Sequence, residues 1–215
     1  MKLRHSKGFS LIELGLALAI IALIAGGVIK GRDMIANARL QNIATQMGQV
    51  ELAINSFESR YGALPGDMAN ASGAFTGVPA EGNGNGNDRI DTAAEAARAF
   101  QELGLAQLIN GQFDGIAPAT GAACPSTTCP ATATGGRLQF LLDTPSGTGS
   151  FRALLSPNGQ LDVRQLAELD RKLDDGRPST GRFQLLANAP ATCASNGNWN
   201  VGNTADNCPA ALLVQ

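Results

Sequence analysis

From Phe9 to Ile29 the chain runs for 21 residues with one charged side chain, Glu13. At about 1.5 Å per residue such a segment, as a helix, crosses the hydrocarbon core of a bilayer. It is preceded by Lys2, Arg4 and Lys7 and followed at once by Lys30 and Arg32. The rest of the 215-residue chain has little with which to bury so apolar a helix. It is rich in Gly, Ala, Asn and Thr, and aromatic residues make up only 5% of the sequence. Length and composition therefore point to one sizeable domain with a modest core and long loops, joined to an apolar element outside that core.

A basic start followed by an apolar run also describes a secretory signal peptide. Three features oppose that reading. The run is longer than a usual signal core, no small-residue cleavage site closes it, and Glu13 lies inside it. A charged acid such as Asp at the centre of a membrane helix costs about 2.5–3.5 kcal/mol and is generally functional. It needs a partner. Cleavage after Gly8 would create one, because the new α-amino group on Phe9 is a counter-charge for Glu13 of its own or a neighbouring subunit.

Lys7-Gly8-Phe9-Ser10-Leu11-Ile12-Glu13, with basic residues before it and about twenty apolar residues after it, resembles the prepilin peptidase signature of type IV pilins and type II secretion pseudopilins. In that family the peptidase cuts after the glycine and methylates the exposed phenylalanine. The glutamate five residues after the glycine guides docking into a filament. The resemblance assigns cleavage to Gly8 and Phe9, N-methylation to Phe9 and assembly to Glu13. It covers about the first 35 residues strongly. Farther on it rests on the Leu64-Pro65-Gly66-Asp67, Asn/Gly and Asp-Asp-Gly segments, which look like stretches common in pilin-like proteins of type II secretion. Major pilins often carry a proline at the position of Lys30; this chain has none there, although Gly26, Gly27 and Gly31 can loosen the same region.

Positive charge before the span holds that end in the cytoplasm and sends the C-terminal body across the membrane. The expected location is the inner membrane, single-pass, with a periplasmic head or a cell-surface filament. Without the three leader cations the basic count falls from 16 to 13 against 18 acids. An acidic body with no basic stripe argues against nucleic-acid binding. The only histidine, His5, lies in the leader. A processed chain then has no Ser-His-Asp or Cys-His arrangement and no histidine-ligated zinc, so no enzyme is expected.

Cys124, Cys129, Cys193 and Cys208 all follow the apolar block. An even number of cysteines in a translocated domain reads as disulfides, with two close pairs in sequence and cross-pairing left open.

Beyond the span, Ile43, Met47, Val50, Ile54, Phe57 and Tyr61 recur at helical spacing, with Gln46, Gln49, Glu51 and Glu58 on other faces. No proline interrupts 9–60, which predicts one long helix, membrane-spanning over 9–29 and amphipathic farther on. Tyr61-Gly62-Ala63-Leu64-Pro65-Gly66 ends it. Further helices are predicted over 92–109 and 162–173, and strands over 137–142, 151–155 and 182–187. Ser156-Pro157-Asn158-Gly159 reads as a turn, and 117–136 as a surface loop. The expected class is α+β: a leader at 1–8, a long helix at 9–60, and a head at 61–215 in which that helix lies on a small antiparallel sheet, as in pilins by resemblance.

The segment Glu81-Gly82-Asn83-Gly84-Asn85-Gly86-Asn87-Asp88-Arg89-Ile90-Asp91 sets oxygen-bearing side chains at alternate positions, as EF-hand-like loops do. Asn83, Asn85, Asn87 and Asp91, joined by Asp67, are candidate calcium ligands. Some pseudopilins bind calcium in the head, which the resemblance adds to this reading. The match is incomplete: Asp88 stands where such loops carry glycine, and Glu95 falls one place beyond the twelfth position. A plain Asn/Gly linker is the competing reading. Asp174-Asp175-Gly176 reads as a helix end with an Asx turn, and Trp199 as either an exposed contact or a plug for a small C-terminal core.

The expected function is a structural subunit of a type IV filament-type machine, a type II secretion pseudopilin first, or a minor pilin for adhesion or DNA uptake. Its expected partners are copies of itself, other pilin-like subunits, the prepilin peptidase, a membrane platform protein and an assembly ATPase. Two rivals belong to other classes. A membrane-anchored calcium-dependent binding domain that never polymerises would tolerate Glu13→Ala and keep its leader. An anchored periplasmic enzyme would need a catalytic cluster that the sequence does not display.

Overall fold

One helix, α1, runs unbroken over Leu11–Tyr61, 51 residues or about 76 Å. The computed structural model describes residues 8, 10–119, 124–141, 152–155, 161–186, 189–202 and 208–214. Residues 1–7 of the expected leader and Phe9 lie outside them, as does the Ser156–Gly159 turn. The chain divides into two compact units, Met1–Arg39 and Leu40–Gln215. In the first, the α1 side chains from Leu11 to Ile35 are exposed all round, Leu11 at 90% and Leu23 at 78%.

In the second unit the distal turns of α1 bury one stripe: Leu40, Ile43, Ala44, Met47, Val50, Ala53, Ile54 and Phe57. These include five of the six residues whose spacing predicts an amphipathic face. The sixth, Tyr61, is half-buried and packs on Phe57 and Phe75, with ring centroids 4.5 and 5.2 Å away. The stripe joins one apolar cluster with Phe100, Leu103, Leu138, Phe140, Leu166, Leu169, Phe183 and Leu212. Glu51 on α1 also forms an ion pair with Arg182.

After α1 come a single helical turn, α2 (Ala71–Ala74), a 3₁₀ turn at Ala80–Gly82, and α3 (Ala93–Leu105). Both α3 and α4 (Val163–Leu173) start with capping boxes, Thr92 with Glu95 and Asp162 with Gln165. In each, the cap side chain accepts a backbone N–H of the first turn and the later side chain returns the favour to the cap N–H.

Four strands form an antiparallel sheet in the order β1-β2-β6-β3, from β1 (Leu138–Leu141), β2 (Arg152–Leu155), β3 (Phe183–Leu185) and β6 (Ala210–Leu213). Two residues each in β4 (Ala194–Ser195) and β5 (Asn198–Trp199) make a separate hairpin. Its turn, Asn196-Gly197, has φ of +52° and +74°, the left-handed pair that a two-residue hairpin connection requires. Disulfides join Cys124 to Cys129 and Cys193 to Cys208, which resolves the pairing the sequence left open. A long N-terminal helix followed by small antiparallel sheets and loops is the α+β arrangement expected.

Candidate functional site

Glu13 stands in the first turn of α1, where unpaired backbone N–H groups carry the positive end of the helix dipole. That end therefore favours an acid whatever else meets it. Leu14 N–H donates to the Ser10 carbonyl at 3.1 Å, so the helical bonding pattern begins one residue after the expected new N-terminus. Gly8 is exposed, and the Glu13 side chain is exposed with no ion pair among the described residues. Around it Leu11, Ile12, Leu14 and Leu16 are exposed too. A lone acid thus sits at the tip of a helix coated in unburied apolar surface. Among the described residues α1 is the one helix long and apolar enough to cross a membrane.

The five candidate calcium ligands lie in the second unit, around one loop. Asp67, buried to 1% exposure, accepts N–H bonds on Oδ1 from Gly86 (2.7 Å) and Asn87 (3.2 Å), and on Oδ2 from Asp88 (2.7 Å). Asn83 Oδ1 accepts Ser72 N–H at 2.8 Å, and Asn85 Oδ1 accepts Asn87 N–H at 3.0 Å. Asp91 is exposed, and the amides of Asn85 and Asn87 donate to its two oxygens at 3.4 and 2.8 Å. The Asn87 amide, ahead of smaller contributions, holds the Asp91 carboxyl below its ordinary range.

Two residues the sequence reading did not assign to this loop complete it. Glu95, also buried, accepts N–H groups of Asn85, Asp91 and Thr92 at 3.3, 3.1 and 3.1 Å. Glu102, about two turns farther along the same face of α3, accepts Gly66 N–H at 2.7 Å. Its second oxygen is buried with no partner among the described residues, and burial pushes the carboxyl up to about 7. Glycines permit the close approach. A Cβ on Gly66 would stand 2.2 Å from the Glu95 carbonyl oxygen, and one on Gly84 2.2 Å from the Asp67 backbone.

Four of the five candidate ligands, Asp67, Asn83, Asn85 and Asp91, already have N–H partners on their side-chain oxygens. Asp67, Asn83 and Asn85 direct their oxygens at chain N–H groups, and the Asp91 oxygens face amide N–H groups. Calcium takes six to eight oxygens. Among the described residues the acids that bring three oxygens within 4.8 Å of one another are Asp170, Asp174 and Asp175, on another element.

Those three organise the turn after α4. Asp170, buried, accepts the Trp199 indole N–H at 2.7 Å and Gly176 N–H at 3.2 Å. Burial raises its carboxyl to about 6, with Asp175 and Asp174 adding to the effect. Asp174, the C-cap, accepts the N–H groups of Arg182 and Phe183. Asp175 accepts Arg177 N–H two residues on, the expected Asx turn, and the Thr180 hydroxyl, which holds it below the ordinary carboxylate range. Trp199 is buried and therefore plugs the C-terminal core. The helical spacing of Asp170 to Asp174 and Asp175 was the available signal for their convergence.

Compared with known proteins, the chain matches the family model of the prokaryotic N-terminal methylation motif over residues 3–29. No curated protein and no solved structure matches it. The motif spans Arg4, Lys7, Gly8, Phe9, Glu13 and the whole apolar run, and it implies a structural subunit, processed by a prepilin peptidase and assembled with pilin-like subunits. The chain carries the N-terminal signal of type IV pilins and pseudopilins.

Proposed function

We propose that this chain is a membrane-anchored subunit of a type IV filament-type machine, with a type II secretion pseudopilin as the specific role. One observation carries the reading: the methylation motif coincides with a helix whose apolar side chains are exposed all round and whose first turn holds a single acid, Glu13. Such a helix needs an apolar environment, which a bilayer supplies first and a bundle of like helices supplies later. In water its surface would drive aggregation.

The mechanism has three steps. Cleavage between Gly8 and Phe9 removes Lys2, Arg4 and Lys7 and frees an α-amine. The carboxylate of Glu13 pairs with that amine on its own or a neighbouring chain, a contact made strong by the low dielectric around it. Pairing places each new helix in register, and the apolar surface leaves lipid for the filament core. A platform protein and a cytoplasmic ATPase supply the work of extraction. The N-terminus lies on the cytoplasmic side and the Leu40–Gln215 unit on the far side, where its two disulfides persist.

The test is the N-terminal mass of protein recovered from native membranes together with a Glu13→Ala variant. The expected species begins at N-methylated Phe9, and Glu13→Ala is processed, inserted and not assembled. A mature protein that begins at Met1, or a Glu13→Ala chain that assembles normally, removes the proposal. Scoring secretion, surface adhesion and DNA uptake in a deletion strain separates the pseudopilin role from those of a pilus subunit or minor pilin.

A further inference from the structure

The asparagine and glycine loop is built around an anion. Gly86, Asn87 and Asp88 offer three consecutive backbone N–H groups, and all three donate to the Asp67 carboxylate at 2.7, 3.2 and 2.7 Å. Left-handed conformations at Gly86 (φ +70°) and Asp88 (φ +59°) flank Asn87. Alternation of hand in this way turns successive N–H groups to one side and forms a concave nest that binds anions. Asp88, placed where a cation loop would carry glycine, takes the left-handed conformation that Asp tolerates better than most residues. The Gly86 N–H also reaches the Asp67 carbonyl at 3.0 Å, and Gly84 N–H reaches the Met68 carbonyl at 2.9 Å. The loop therefore docks on the 67–68 backbone as well as on the side chain.

Electrostatics follow from this count. A carboxylate that accepts three N–H bonds has the positive ends of three backbone dipoles pointed at it. Those dipoles oppose a cation at the same place. We propose that residues 84–88 form a carboxylate-binding nest whose ligand is the chain's own Asp67, so that the loop closes without a divalent cation and takes up a small free carboxylate when Asp67 is cut back.

This inference stands apart from the filament reading. It ties the turn that follows α1 to the segment that leads into α3, and so fixes the distal end of α1 within its own unit. Full-length protein in detergent micelles, followed by Trp199 fluorescence and far-UV circular dichroism, tests it. Wild type is expected to melt at the same temperature in millimolar calcium and in EGTA. Asp67→Ala is expected to melt several degrees lower and to regain at least half of that loss in sodium formate, but not in sodium chloride of equal ionic strength. Asp67→Asn, which keeps the shape and replaces one accepting oxygen by a donor, covers the case in which the alanine variant does not fold. Amide hydrogen exchange over 84–88 is expected to quicken at least tenfold in that variant, with α4 unchanged. Stabilisation of wild type by calcium that EGTA reverses, or unchanged exchange in Asp67→Asn, overturns the proposal.

Discussion

Glu102 and Asp170 are fully buried acids whose carboxyls burial pushes up, to about 7 and about 6. An acid that holds its proton more tightly folded than unfolded stabilises the fold when protonated. That contribution is fully present below the ordinary values of 4.5 and 3.8, and it is lost as pH rises through about 7 for Glu102 and about 6 for Asp170. Asp91, Asp114 and Asp175, held low by hydrogen bonds from Asn87, Thr127, Thr180 and their neighbours, act in the opposite sense and lose their contribution as pH falls below the usual carboxylate range. Stability is therefore expected to peak at about pH 4, where the two sets meet, and to fall towards pH 8. Glu102→Gln keeps an oxygen for Gly66 N–H and removes the buried charge, so it is expected to raise the melting temperature at pH 8 and flatten the profile between pH 5 and 8. Thermal melts across that range check it; a wild-type profile that rises towards pH 8 contradicts it. None of this was legible in the sequence. Glu13 could be recognised because a charge stands out in an apolar run, and Asp67 because it ends a Leu-Pro-Gly turn, whereas Glu102 looks like an ordinary surface acid until the Gly66 backbone folds against it.

Helices were the legible elements, and the reason is local. The α1 stripe repeats at helical period, as do Ala96, Phe100, Leu103 and Val163, Leu166, Leu169, Leu173 farther on, so α3 and α4 begin within a residue of expectation and only the end of α3 comes early, at Leu105 rather than Ile109. Strands β1, β2 and β3 fall inside the segments 137–142, 151–155 and 182–187. The strand that holds the sheet together, β6, gave no comparable signal. Ala210-Ala211-Leu212-Leu213 is a four-residue apolar run with neither alternation nor a β-branched residue, and its partners β2 and β3 lie 25 or more positions away. Its place between them is a tertiary fact. The asymmetry of α1 gives a direct test at this scale. Ile54 is 1% exposed within the core, and Leu52, two positions away, is 67% exposed. Ile54→Ala is expected to destabilise the fold by about 2–5 kcal/mol through lost burial and a residual cavity. Leu52→Ala should fall within about 0.5 kcal/mol. Urea unfolding of the two variants measures both, and equal losses would show that the stripe does not face the core.

At the scale of the molecule, two kinds of apolar surface are kept in separate parts of the chain. Every buried hydrophobic residue from Leu40 to Val214 lies in the second unit, while the exposed ones from Leu11 to Ile35 lie in the first. The second unit thus holds a core of its own, two disulfides and both capped helices. A chain that starts at Leu40 keeps all of them and sheds the surface that demands lipid. Such a fragment is expected to be a soluble monomer, to unfold in one cooperative transition, and to keep Trp199 buried against Asp170. The full chain, by contrast, should require detergent or membrane at any useful concentration. Size-exclusion chromatography, circular dichroism and tryptophan emission of the fragment check this together. Aggregation, or a red-shifted emission that marks exposed indole, would mean that the core from Leu40 onward depends on the apolar segment before it. Addition of reductant should then lower the melting point of the fragment, because Cys193–Cys208 closes the loop that carries Trp199. Loss of such a bridge typically costs about 2–5 kcal/mol in a small domain.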